Sequence, residues 1–158
     1  MILRSIVFYF LVCFLQYWWA SHLSVFGTSP NFPLMASVTS AVLFSPSHSL
    51  IFSFMMGFFA DFSSWGHFGI YCLSYTLISY MLNSLKSRTD LGSGFSRNLL
   101  FLAFFYFNLL FYSLFYFAIY KAWFFGWKDF IFSPFLSLLL FEFFHELAER
   151  YLSVKKCL

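Results

Sequence analysis

Between Arg4 and Lys86 the chain carries one formally charged side chain, Asp61, and it stands inside an apolar run. A carboxylate costs roughly 2.5–3.5 kcal/mol at the centre of a membrane helix, so an acid in such a place needs a reason. The run reads Gly57-Phe58-Phe59-Ala60-Asp61-Phe62-Ser63-Ser64-Trp65-Gly66-His67-Phe68-Gly69. Ser53, Gly57 and Asp61 fall four apart, on one helical face, where two small residues let another helix approach closely. Gly66 and Gly69 then break the helix and open the next apolar segment. The unit expected here is helix, acid, turn, helix, with the remaining chain as a scaffold around it.

Composition sets the class. Apolar residues make up 61% of the chain and charged residues 9%, where about 25% charged is usual for a soluble domain. No soluble interior of this size hides 28 Phe, so much of the surface must face lipid. A chain of 158 residues has room for one domain, and the expectation is a single polytopic, all-α integral membrane domain over residues 1–158. The net charge of +3 comes from basic residues scattered at segment ends. These read as topology signals, and no aromatic–basic surface points to nucleic acid. Cys13, Cys72 and Cys157 fall in no disulfide, metal or prenylation pattern.

In chain order, Arg4 precedes an apolar run from Ser5 to Ala20, read as a retained first span with Trp18 and Trp19 at the far interface. Asn31 is placed to N-cap a helix opening at Phe32 and Pro33 and running to about Phe44. After Ser45-Pro46-Ser47-His48 a second helix runs from about Ser49 to Asp61. Each has only about 12–13 residues, roughly 18–20 Å against a hydrocarbon core of about 30 Å. Three arrangements compete: two short spans, a re-entrant hairpin, or one kinked helix from Phe32 to Asp61. Further spans are expected from Gly69 to about Leu85, from Asn98 to Tyr120, and from Ile131 past Pro134 to about His145, before a polar tail. Trp123 and Trp127 flank the short loop that holds Lys121 and Lys128.

Charge counting favours six segments with both termini in the cytoplasm. Arg4, Lys86, Arg88, Arg97, Arg150, Lys155 and Lys156 then lie inside and only Lys121 and Lys128 outside. Five spans place Arg4 on the wrong side. The hairpin keeps the same parity, so charge does not separate it from two short spans.

The order Pro30-Asn31-Phe32, Ser45-Pro46-Ser47-His48, Gly57 through Asp61, then Gly66 and Gly69, resembles the MreD family of rod shape-determining proteins. Members carry a Pro-Asn near the start of the second helix, a short turn often containing Pro, a helix with Gly-x-x-x-Asp, and a glycine opening the next span. The resemblance runs from about Pro30 to Arg88, and Ser133-Pro134-Phe135 fits the Pro-led last helix. Two positions depart: many members have glycine where this chain has Ser53 and Trp65. The resemblance implies a subunit of the bacterial inner membrane within the cell-elongation machinery. It would bind the single-span partner MreC and, through it, peptidoglycan synthases and the actin-like MreB filaments. It also implies a fold similar to the six-helix substrate-binding subunits of energy-coupling-factor vitamin transporters. Those supply the alternative function, although the alanine pair four apart on their first helix is missing from Ser5 to Ala20.

Asp61 could be a catalytic carboxylate, a ligand or proton site, or a structural cap. Catalysis wants a second titratable group beside it, and the nearest in sequence is His67, past the turn. A carboxylate at a helix end can instead accept the backbone N–H groups that open the next helix. Glu142, His145, Glu146 and Glu149 share a helical face, but a carboxylate metal bundle needs a second such copy, and there is none. Glu146 and Arg150 form an ordinary i,i+4 pair. No phosphate loop and no Ser/His/Asp set appears. The expectation is therefore a membrane scaffold, not an enzyme, with no cofactor and no metal. It acts by packing against other membrane proteins, and its structural or partner-binding positions are Pro30, Asn31, Ser53, Gly57, Asp61, Gly66 and Gly69.

Overall fold

The computed structural model describes residues 2–23, 27–64, 68–86, 94–121 and 127–152. They form α1 (Ile2–His22), α2 (Phe32–Leu43), α3 (Pro46–Ser63), α4 (Ile70–Lys86), α5 (Gly94–Tyr120) and α6 (Trp127–Leu152). Helices α1, α5 and α6 are long and apolar enough to cross a membrane, and α2 is a shorter apolar helix.

The bundle is built around α2. Its residues from Phe32 to Ala41 are all buried, and it touches each of the other five helices. A helix that is apolar all round belongs in an interior. Its 12 residues span about 18 Å, too short for lipid but sufficient among protein neighbours. Two of its hydroxyls return to backbone: Ser37 donates to the Pro33 carbonyl and Ser40 to that of Ser37, each at 2.8 Å.

Side-chain contacts fix the direction of every helix. The N-terminal end of α2 meets Gln16 of α1, Tyr75 of α4 and Ser137 of α6. Its C-terminal end meets Lys86, whose Nζ donates to the carbonyls of Val42 at 2.5 Å, Phe44 at 3.4 Å and Ala41 at 3.5 Å. Helices α2 and α4 therefore run parallel, with α3 antiparallel between them. Arg97 at the start of α5 pairs with Glu142 late in α6, while Asn108 further along α5 meets Ser74 near the start of α4. Successive helices thus alternate in direction through all six.

Residues Ser45 to His48 are exposed and stand at the Lys86 end, where Ser5 and His48 border one groove. One kinked helix from Phe32 to Asp61 is thereby excluded. Phe44 is extended (φ −93°, ψ 168°) and the chain reverses there. The turn stands at the Lys86 end of the bundle, and the head of α2 and the end of α3 at the other.

Several boundaries differ from the sequence expectation, among them the head of α3, which opens at Pro46 with Ser45 in the N-cap place and not at about Ser49. α5 opens at Gly94, a turn before Asn98, because Arg97 gains Glu142 as a partner at 2.7 Å. α6 begins at Trp127, so Pro134 lies inside the helix and not at its head. It also continues past His145 to Leu152, because Phe141, Phe144, Ala148 and Leu152 bury one stripe against the bundle while Glu146, Glu149 and Arg150 face outward. Trp19 differs in exposure from its neighbour Trp18. It turns inward onto the ring of Phe32, centroids 5.6 Å apart, while Trp18 stays exposed. The outer faces of α1, α5 and α6 carry Phe10, Phe14, Leu114, Phe135, Leu139 and Phe143 in the open, as expected of helices surrounded by lipid. Trp123 and the tail beyond Leu152 lie outside the described residues.

Candidate functional site

The closest helix pair is α3 against α4, and its seam is a stripe of small and polar residues. Ser49, Ser53, Gly57 and Asp61 recur every fourth position of α3 and are all buried. At Gly57 the backbone of α4 comes so near that an added Cβ would lie 2.5 Å from the Cα of Cys72 and 2.6 Å from the carbonyl oxygen of Tyr71. Only a residue without a side chain permits that approach.

One turn later Asp61, 4% exposed, faces the opening of α4. Its Oδ1 accepts the N–H of Tyr71 at 2.9 Å and its Oδ2 that of Cys72 at 3.0 Å. The residue ahead of α4 explains why. Gly69 adopts φ +105°, which side-chain-bearing residues rarely take, and its carbonyl accepts the N–H of Leu73. It stands in the N-cap place with no side chain to accept a hydrogen bond. Asp61 reaches across from the preceding helix and supplies the acceptor, at the end where the helix dipole favours an anion. Nothing lies within 4 Å of an added Cβ at Gly69, so the glycine serves the backbone angle and not the space. Gly66 and His67 lie outside the described residues.

A second polar group gathers at the head of α2. Asn31 Oδ1 accepts the N–H of Leu34 at 3.1 Å and the hydroxyl of Tyr75 at 3.0 Å. Its own N–H donates to Ser137 Oγ at 3.1 Å, and the Phe32 N–H donates to Gln16 Oε1 at 3.0 Å. Pro30 is buried beside it, and Pro33 falls in the first turn of α2, where a missing N–H costs nothing.

Sequence reasoning missed several participants, Tyr75, Ser137 and Asn83 among them. Ser49 extends the four-residue spacing by a turn and accepts from Asn83 Nδ2 at 2.7 Å; the periodicity itself was the available signal. Gln16 and Lys86 serve α2 from distant positions, and no local pattern marks either. The acidic face of α6 does not act together. Glu142 pairs with Arg97, His145 is buried beside Thr39 Oγ1 at 3.4 Å, and Glu146 and Glu149 are exposed. Among the described residues Arg97–Glu142 is the ion pair formed, and Glu146–Arg150 is not. No group of three His, Cys, Asp or Glu among them could hold a metal.

Both oxygens of Asp61 are occupied by backbone donors, the N–H groups of Tyr71 and Cys72. That geometry joins two helices through a side chain. The fold and this seam define a helical membrane protein organised around one capped helix hairpin. The chain belongs to the family of the rod shape-determining protein MreD, which it matches over residues 1–150. No curated protein and no solved structure matches it, and the implied likeness to energy-coupling-factor substrate-binding subunits has no counterpart among these comparisons.

Proposed function

We propose that this chain is a scaffold subunit of the bacterial cell-elongation complex, a single domain that crosses the inner membrane six times with both termini in the cytoplasm. It binds an MreC-like single-span protein and, through it, MreB filaments and peptidoglycan synthases. Family membership carries the reading. The alternating helices and the gathering of Lys86 and Arg97 at one end of the bundle support the topology.

The site adds a constraint on how such a scaffold works. Ser53, Gly57, Asp61 and Asn31 face other helices of the same chain, so they set the shape of the bundle and a partner meets the outer faces of the long helices. The backbone donors on both oxygens of Asp61 support a chain that acts by binding. Depletion tests the proposal: rod-shaped cells should become round, and the tagged protein should co-purify with a single-span, coiled-coil membrane protein. Normal cell width after depletion, with a vitamin and an ATPase module in the purified material, would instead support a transporter subunit.

A further inference from the structure

A groove of about 290 Å³ runs between α1 and α3. Phe44 and Phe52, both buried, form its floor. Ile6 and Phe10 of α1 and Ile51 and Met55 of α3 form its walls, and all four are exposed. Tyr9 crosses the inner end, its hydroxyl donating to the Met55 carbonyl at 3.3 Å. The mouth lies at the Lys86 end of the bundle and is bordered by Ser5 and His48. Between His48 and Met55 the slot extends about 10 Å along α3, at 1.5 Å per residue.

The mouth is polar and stands beside a cation. Arg4, next to Ser5 on α1, is exposed and takes no part in the ion pair found among the described residues. His48 is exposed as well. Its Nδ1 lies 2.8 Å from Ser45 Oγ, and its Nε2 makes no hydrogen bond among the described residues. No acid among the described residues lines the groove. An apolar slot that opens beside a guanidinium and an imidazole matches an amphiphile with a hydrocarbon tail and an anionic head.

We propose that the α1–α3 groove holds one acyl chain of an anionic phospholipid from the leaflet at the Lys86 end, with the phosphate met by Arg4 and His48. Width decides between a lipid and a protein occupant. A helix with its side chains is about 10–12 Å across, too wide for a slot beneath which α1 and α3 already meet, Phe8 on Phe52 at 5.9 Å. A single flexible hydrocarbon chain fits. Charge decides the headgroup, since one basic side chain near the membrane surface favours an anionic lipid by about fivefold. The inference goes beyond the scaffold reading and requires only that the chain lies in a bilayer, so lipid binding and cell width test the two separately.

The test is native mass spectrometry of the full-length chain released from detergent. It is titrated with dioleoylphosphatidylglycerol and with dioleoylphosphatidylcholine, which share their acyl chains. One phosphatidylglycerol should be retained saturably, about fivefold more tightly than phosphatidylcholine. Arg4→Gln combined with His48→Gln should bring phosphatidylglycerol down to the phosphatidylcholine level, and Arg4→Lys should keep the preference. Met55→Trp fills the slot and should weaken both lipids by at least about fivefold. Leu114→Ala, on the outer face of α5, should change neither. The wild-type comparison decides even where a variant does not fold. Equal retention of the two lipids (annular lipid only), a preference that survives loss of Arg4 and His48, or full binding by Met55→Trp would each overturn the proposal. So would a lipid-independent dimer that Met55→Trp abolishes, which would give the groove to a second copy of the chain.

Discussion

Gly57 and Cys72 approach so closely that a Cβ on the glycine would stand 2.5 Å from the Cα of its neighbour. The obstructing atoms are backbone, so no rotamer change relieves the clash. Gly57→Ala should therefore destabilise the protein by about 1–3 kcal/mol through forced separation of α3 and α4, and Gly57→Leu by more. Leu114→Ala, 64% exposed on α5, should be near neutral. Leu109 is half-buried against the core and makes a poor control. Thermal unfolding in detergent at matched protein levels measures the difference, and equal stability of the Gly57 and Leu114 variants would end the close-packing argument.

Asp61→Asn should be tolerated better than Asp61→Leu. The amide keeps one oxygen to accept an N–H at the head of α4, while leucine leaves both Tyr71 and Cys72 donors unpaired at about 1–3 kcal/mol each. Complementation of cell width with both variants at equal membrane levels checks this. Identical loss of function in both would point to proton chemistry at the acid instead.

Lys86→Met should lower the melting temperature, because the last carbonyls of α2 lose the ammonium that Val42, Phe44 and Ala41 now share. The side chain is exposed, so the expected loss is modest, about 0.3–1 kcal/mol. Lys86→Arg retains charge and donors and should recover most of it. A Met variant as stable as the wild type would show that water satisfies those carbonyls equally well.

In the proposed six-span topology the exposed residues Ser47 and Ser63 lie on opposite sides of the membrane. In a background without native cysteines, Ser63→Cys should react with an impermeant thiol reagent applied outside the inner membrane. Ser47→Cys should react only after the membrane is opened. The reverse pattern would invert the proposed orientation.

Much of the bundle was legible because periodicity and punctuation are local. Pro33 and Asn31 mark the head of α2, Gly69 marks the start of α4, and both lie where the structure puts them. The spacing of Ser53, Gly57 and Asp61 showed one face, and that face meets α4. The ends of α5 and α6 were less legible. Their polar residues looked like loop and tail, yet Arg97 is held by Glu142, 45 positions away, and Leu152 by burial against the bundle. The partners of Asn31 and Lys86 were hidden for the same reason: each was chosen by a helix remote in sequence.

By itself the sequence determined that the chain is helical and lives in a membrane, because in lipid only helices and closed barrels satisfy the backbone and its long, unalternating apolar runs have the length of helices. It also determined where most helices break and which face of α3 is small. Only the tertiary structure decided which apolar surface is interior. Phe, Leu and Met are equally at home in lipid and in a protein core, so hydrophobicity does not distinguish Phe8, buried at 1%, from Phe10, exposed at 65%. That choice, which makes the short α2 the centre of the bundle, rests on polar groups meeting across helices. Gln16, Tyr75, Ser137 and Lys86 find the ends of α2, and Asp61 finds the head of α4, because within a membrane an unpaired backbone group has no water to turn to.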